Sequence, residues 1–490
     1  MAMDNLALLN IAREAMRQRG LQPDFPPAAA QEAASMTEPV VAPHDTLRDL
    51  RDLLWCSIDN DDSRDLDQLT VALPASPESG GAPRILVAIA DVDALVRADS
   101  AIDAHARANT TSVYTAAGVF PMLPLRLSTD LSSLNEGADR QAIVVEIVVG
   151  EGPASSAAAV YRARVRNRAQ LTYDSVAGWL DGKAAMPPKV AALPGLEDQL
   201  RAQDRAGQAL KELRRRHGAL SLATPEARPV FGADGVLTDL RTEDGNRAKE
   251  LIAGFMIAAN VVTARFLDAK NFPSLRRLLR APARWQRIAE IATTLGETLP
   301  AEPSPLALDA FLTRRRLAAP EKFAELSLTI VKLLGSGEYM LSRPGHAAPG
   351  HFGLAVNDYT HSTAPNRRYP DLVTQRLLKA ALSGDPPPLD DDALTRLAQH
   401  CTEQEDNANR VERQVRKSAA ALLLAPRIGQ SFNAIVTGVS SKGTWVRISS
   451  PVAEGRVVKG FEGLDVGDKP RVTLLGVDAA RGFIDFEKAI

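Results

Sequence analysis

The chain has 490 residues, 45% hydrophobic and 24% charged, the make-up of a folded protein with more core than one ordinary domain holds. Its 58 basic and 60 acidic residues leave a net charge of -2, so no chain-wide basic field announces a nucleic-acid partner, and any such contact must come from local clusters. Two cysteines without CxxC spacing, Cys56 and Cys401, exclude a disulfide framework and a cysteine-built zinc site.

In chain order, residues 4–19 place Leu6, Leu8, Ile11, Ala12 and Met16 near helical spacing before Gly20, so residues 1–20 form an N-terminal helical segment. An Ala/Pro-rich stretch over 21–47 reads as a linker. The main body runs over 48–425. Its first part carries strand-like runs at 84–92 and 142–149, and helices dominate from about 246, where NRAKELIAGFMIAANVVTARFLDA is apolar enough to be buried. Residues 426–490 change to short alternating strands between Gly and Ser-Ser turns, the pattern of a small five-stranded OB barrel. The fold class is therefore α+β, a mixed sheet packed with helices and followed by an all-β barrel. The reducing cytoplasm fits the cysteine usage, and no leader-like segment or run of membrane-spanning length stands out.

The densest chemical signal is SIDNDDSRDLDQLTVA at 57–72. Asp59, Asp61, Asp62, Asp65 and Asp67 fall close together, and packing carboxylates so tightly is costly unless a cation neutralises them. Hard divalent ions such as Mg²⁺ take a few carboxylates plus waters and substrate phosphate. A solvated acidic loop is the plain alternative. An EF-hand is excluded, because its glycine position falls on Arg64 and its terminal glutamate on Thr70. Leu66 between Asp65 and Asp67 points to an anchored backbone that holds both carboxylates on one side.

These residues resemble the signature of the RNase II (RNB) family, an Ile-Asp motif followed by spaced aspartates. The resemblance implies metal ligation by Asp59, Asp65 and Asp67, with Gln68 at the fourth, usually acidic, position and Asp61 or Asp62 near enough in sequence to compensate. It ties Asp67 most directly to the chemical step. The segment HFGLAVNDYTHSTAPNRRYPDLVTQR at 351–376 resembles a second block of the family. There Pro370-Asp371 reads as a helix start, with Arg367 and Arg368 on the turn that feeds it. The resemblance implies that Arg367 is catalytic and Arg368 binds RNA. A solvated helix end is the plain alternative for such a pair.

Tyr114 in SVYTAAGVFPMLPLRLSTDLSSL and Tyr173 in AQLTYDSV match family tyrosines that stack on bases, and Glu412 in NRVERQV matches a family glutamate-arginine pair. Two departures concern substrate grip: Leu222 stands where an aromatic is usual, and Ala253-Gly254 where the family has paired glutamates. The last segment resembles the S-one type of OB fold, with Phe432 and Trp445 on strands as stacking candidates or as barrel core. The basic runs at 214–216 and 274–287 read as solvated helix faces or as an RNA path.

The resemblance implies a short form of the family, without N-terminal cold-shock domains, that hydrolyses single-stranded RNA from its 3′ end. Nucleoside 5′-monophosphates would be released with Mg²⁺ as cofactor and Mn²⁺ as substitute. A monomer is expected, with no membrane partner and no small-molecule cofactor. The alternative is an RNA-binding protein of the same fold with weakened catalysis, for which Gln68 is the motive.

Overall fold

Seven strands build the sheet on which everything else is hung, in the order Arg48–Asp49, Val160–Arg166, Asp139–Val148, Arg84–Ala90, Gln68–Leu73, Cys56–Asp59, Ala169–Thr172. The computed structural model describes residues 3–37, 47–74, 82–149, 159–222, 226–231, 237–243, 245–346, 348–440, 443–465 and 467–489. The two outermost pairings are parallel and the inner ones antiparallel, so the sheet is mixed, as the strand-like runs predict. Its central strands are buried almost throughout (Ile85, Val87, Ile89, Val144 and Ile147 are each at most 1% exposed), because a helical layer covers them.

The core of that layer is the helix Arg247–Ala269, capped by the Asn246 side chain on the Lys249 N–H. It is long and apolar enough to cross a membrane by length and composition, contrary to the expectation that no such run occurs. Its apolar surface is spent inside the protein: Phe255, Ala259, Ala264 and Leu267 are fully buried. A soluble core helix and a membrane span share the same composition when all faces are covered. The helix Asp391–Leu424, 34 residues long, runs from the helical layer to the barrel, whose hydrophobic cluster includes its Ala420, Ala421 and Leu424.

The N-terminal helix Met3–Arg17 buries Leu8, Ala12, Ala15 and Met16 against Val411, Val415 and Ala419 of that long helix, while Leu6 faces solvent. Residues 21–37 of the stretch read as a linker are instead tied down, while 38–46 lie outside the described residues. They contain the helix Pro27–Ser35, whose Ala29 and Ala33 enter the main core. Gln22 exchanges backbone hydrogen bonds with the Asn109 side chain, and Glu32 accepts from the Ile102 N–H at 3.0 Å. Alanine-rich composition hides this, because small side chains allow close packing without a strong apolar signal.

The C-terminal strands close a five-stranded barrel in the order Ser431–Ser440, Gly443–Ser449, Val452–Lys459, Phe483–Lys488, Arg471–Asp478. Val452–Lys459 carries Glu454, Gly455 and Arg456 and so lacks the apolar profile of its neighbours. The basic run at 274–287 is not one helix face. Ser274–Leu278 is a strand paired with Glu338–Ser342, and its Arg276 is 4% exposed.

Phe255→Ala is expected to lower unfolding free energy by about 3–5 kcal/mol, read by urea titration followed by circular dichroism. A loss under about 1 kcal/mol would show that the helix does not anchor the core.

Candidate active site

The parallel pairing of Cys56–Asp59 with Ala169–Thr172 sets Asp59 directly beside Thr172. Tyr173 follows as the first residue of the helix Tyr173–Leu180, whose N-terminus is capped by Thr172. One strand register therefore brings an acid and an aromatic together. The Asp59 Oδ1 accepts from the Asn60 N–H at 2.7 Å and the Ser63 hydroxyl at 2.8 Å. Asp61 and Asp62 are exposed on the turn beyond and are not among the residues that line the cavity described below. The chain is then re-anchored at Leu66, which is 1% exposed. Its N–H donates to Ser133 Oγ at 2.9 Å and its carbonyl accepts from Leu134 N–H at 3.0 Å. Asp65 and Asp67 flank this anchor, as the alternation predicts. Asp67 is 3% exposed, and Gln68 opens the next strand.

The basic half arrives from the far end of the sequence. Helix Tyr369–Ser383 begins with Pro370 in its first turn, and buried Asp371 accepts from the Ala364 N–H at 2.8 Å and from Arg368 Nη2 at 2.7 Å. This clasp folds residues 364–368 into a turn. The turn delivers the Asn366 N–H to Asp67 Oδ1 at 3.1 Å and Arg367 Nε to Asp67 Oδ2 at 3.3 Å. Thr111 bridges to Arg368, and the Ser112 N–H donates to the Arg367 carbonyl at 3.0 Å. That contact carries Tyr114 to the same place, where Glu412 accepts its backbone N–H at 2.8 Å. The entry into this segment passes through Thr110 at φ +58°, a left-handed conformation costly for a β-branched residue.

The result is one cavity of about 580 Å³ lined by Asp59, Asp65, Asp67, Gln68, Tyr114, Tyr173, Arg367 and Glu412. Burial is the main force on its acids. It pushes Asp67 up to about 7, with Arg367 opposing and Asp65 adding to the rise. Burial also raises Asp65, partly offset by its own backbone N–H and by Arg367 and reinforced by Asp59 and Asp62. Among the described residues no three His, Cys, Asp or Glu side chains converge closely enough to cage a metal alone. The donors are nonetheless all oxygen, and two of them are acids held against their preference for charge. That fits a hard, largely hydrated divalent ion sharing its shell with water and phosphate rather than a protein cage.

Eleven residues carry the sequence-based expectations, and the structure treats them differently. Asp59, Asp65, Asp67, Gln68, Tyr114, Tyr173 and Arg367 face the shared cavity. Arg368 does not reach it: its Nη2 is committed to Asp371 and Thr363, so it braces the turn. Glu412 lines the cavity but also holds the Tyr114 backbone. On the barrel, Phe432 packs edge-to-face on buried Phe486, 6.4 Å between centroids, and so belongs to the barrel core. Trp445 is half-buried between the core-facing Thr444 and Val446 and lies on the opposite side of its strand.

Leu222 packs on a satellite helical cluster and does not line the cavity. Of the basic run at 214–216, Arg215 and Arg216 pair with Glu212, and Arg214 turns to the Gly254 carbonyl. Sequence reading missed Lys249, Ile252 and Met256, which with Ala253 form the cavity face of the core helix. Their spacing of three and four marks one helical stripe, which is the signal that could have found them. The Lys249 Nζ lies 5.9 Å from the Tyr173 ring centroid.

Residues 47–384 match the RNB domain, and residues 430–489 match the RNase II-type exonuclease C-terminal S1 domain. Ribonuclease R of Escherichia coli (strain K12) is 30% identical over 472 residues, covering 93% of this chain and 56% of that protein. The chain thus spans little more than half the length of that relative. The structure of Mycoplasma genitalium RNase R in complex with ribose-methylated single-stranded RNA aligns at a TM-score of 0.86 and 23% identity, over 99% of this chain and 78% of that one. Yeast Ssd1, a pseudonuclease, shares the fold at a TM-score of 0.71 and 17% identity, over 93% of this chain and 56% of that one.

The raised Asp67 has a consequence for the metal-free protein. The folded state keeps its proton up to about 7 while the unfolded chain releases it near the usual carboxylate value, so this group's stability contribution is lost as pH rises through that window. In EDTA, wild-type stability is expected to fall between pH 5 and pH 8 by an amount on the order of a few kcal/mol that Asp67→Asn removes. Parallel pH profiles for the two proteins in urea titrations would refute the buried-acid assignment.

Proposed function

The chain belongs to the RNase II (RNB) family, and from that premise we propose that it is a divalent-metal-dependent ribonuclease that shortens single-stranded RNA from the 3′ end. The observation that carries this reading is the convergence of Asp59, Asp65, Asp67, Gln68, Arg367, Tyr114 and Tyr173 on one cavity from segments up to 300 residues apart.

In this reading Asp59, Asp65, Asp67 and the Gln68 amide oxygen hold Mg²⁺, or Mn²⁺ in its place. When bound, the ion lowers the pKa of water for in-line attack and offsets charge on the leaving oxygen. Arg367 serves the phosphoryl group. Its Nε contact to Asp67 is long, and its side chain is 42% exposed toward the cavity, so it can turn its remaining donors to an anionic oxygen. Tyr114 and Tyr173 offer faces to unpaired bases, at roughly 1–3 kcal/mol per base with little sequence preference. Lys249 beside Tyr173 supplies a point charge for a phosphate of the incoming strand. The half-buried Trp445 on the barrel extends the track for RNA upstream. Products are nucleoside 5′-monophosphates and a short residual oligonucleotide. Action as a cytoplasmic monomer belongs to the same proposal.

A second reading is favoured by one observation, the neutral Gln68 at the rim of the acidic cluster: an RNA-binding protein of the same fold with little or no turnover. A 5′-labelled unstructured RNA of about thirty nucleotides, long enough to span barrel and cavity, separates the two. Incubated with Mg²⁺, with EDTA, and beside the matching DNA, it is expected to give a metal-dependent ladder with mononucleotides released. Retention of the RNA without shortening, even with Mn²⁺, hands the case to the binding protein.

Two substitutions then test the roles. Asp67→Asn is expected to cut turnover by roughly 10³-fold or more while RNA affinity stays within about threefold. Equal loss of both would remove Asp67 from the chemical step. Gln68→Asp is expected to lower the Mg²⁺ concentration for half-maximal rate by about tenfold, because a carboxylate binds a hard cation more strongly than an amide. An unchanged metal dependence would place that side chain away from the ion.

A further inference from the structure

A second cavity of about 210 Å³ lies on the far side of Arg367. Tyr114, Arg367 and Glu412 line both it and the catalytic cavity, so the two chambers meet at those three side chains. Its outer wall is one stripe of the helix Asp391–Leu424, with Glu405, Ala408, Asn409 and Glu412 at helical spacing. Asn409 is exposed at the rim. Deeper in, the Tyr339 hydroxyl meets His361 Nδ1 at 2.8 Å.

The polar groups of this chamber are not exhausted by internal partners. Arg368 spends Nη2 on Asp371, and Glu405 Oε1 accepts from Arg277 Nη2 at 2.8 Å. Arg368 Nε and Glu405 Oε2 are both buried and lack a hydrogen-bond partner. Buried polar groups left unmatched are rare and call for a guest that matches them.

Hydrolysis from the 3′ end within a closed cavity poses a transport problem. Each cycle leaves a mononucleotide at the deep end of the catalytic cavity while the shortened strand still fills the mouth. The product must therefore wait for the strand to dissociate or leave by another way. We propose that the chamber behind Arg367 receives and discharges the nucleoside 5′-monophosphate, which deepens the proposed function and rests on it. Arg367 and Arg368 face the phosphate, and the Tyr339–His361 pair and Glu405 face the ribose and base. Two arginines against Glu405 and Glu412 leave the ionic wall close to neutral, so a dianion is passed on rather than trapped.

The test is Asn409→Trp, which plugs the exposed rim without touching the acids or Arg367. Single-turnover cleavage of the first bond is expected to stay within about twofold of wild type, while the steady-state rate falls about tenfold or more because release becomes limiting. In EDTA, calorimetric titration with 5′-AMP is expected to show saturable binding to the wild type, at least about tenfold weaker for adenosine and for Asn409→Trp. An unchanged steady-state rate in a folded Asn409→Trp protein, or no saturable AMP binding to the wild type, overturns the proposal. A wild type that fails in single turnover instead defeats the nuclease reading. The AMP titration still decides whether the chamber is a nucleotide site.

Discussion

A carboxylate that is 3% exposed must be compensated, and at Asp67 the compensation comes from a turn 300 residues away. That requirement joins the strand sheet to the helical layer at one point and fixes where the site is. The neighbouring pair shows how differently the same chemistry can be used. Asp371 is fully buried, and it draws in the Ala364 N–H and Arg368 at hydrogen-bond lengths of 2.8 and 2.7 Å. Both donors meet Asp371 Oδ1 and shape the turn, while Asp371 Oδ2 and Arg368 Nε are left without a hydrogen-bond partner. Asp67 has one backbone donor at 3.1 Å and one guanidinium contact at 3.3 Å, so it is only partly satisfied. Burial without full compensation leaves an acid ready for a stronger cation than arginine.

The rest of the site is positioned by backbone pairing rather than by side-chain contacts. Strand register sets Asp59 beside Thr172, and hence Tyr173 beside the acids. The bridge between Thr111 and Arg368 does the same for Tyr114, at the expense of a left-handed Thr110. Both rings receive their position from backbone ladders outside the cavity, which on the proposed function would present them to unpaired bases.

These relations explain what could be read in the sequence. The acids stood out by their spacing, and Leu66 between two aspartates disclosed the anchored backbone, whereas Arg367, Tyr114 and Tyr173 were singled out only by the resemblance of their segments to the RNase II (RNB) family. Adjacent Arg367 and Arg368 look alike in sequence, and only the fold reveals that Arg368 spends one nitrogen on Asp371 while Arg367 meets Asp67. For Phe432 the sequence left stacking and barrel core open, because alternation tells which residues share a face but not which face is the barrel interior; its contact with Phe486 is on the core side. The helix Pro27–Ser35 escaped because an alanine-rich segment packs through closeness rather than bulk. Lys249 was hidden by the apolar length of its helix, which drew attention to burial and away from the one stripe that meets the cavity.

Gln68 gains its meaning from the same electrostatics. In a low-dielectric pocket each added carboxylate raises the others, as Asp59 and Asp62 raise Asp65 and Asp65 raises Asp67. A fourth acid would deepen that mutual repulsion in the absence of metal, and a neutral amide relieves it while keeping an oxygen in place. Repulsion among the acids in the free protein and attraction for a divalent ion are two sides of one interaction, so a site cannot have less of the first without less of the second. Arg367 then weighs more heavily than it would among four acids. It is the cation that balances Asp67 in the free protein. On the proposed function, its turn toward a phosphate would leave Asp67 to a metal ion, and the glutamine would shift the balance between guanidinium and metal there, which would make occupancy by the ion, rather than the presence of the acids, the condition on which turnover depends.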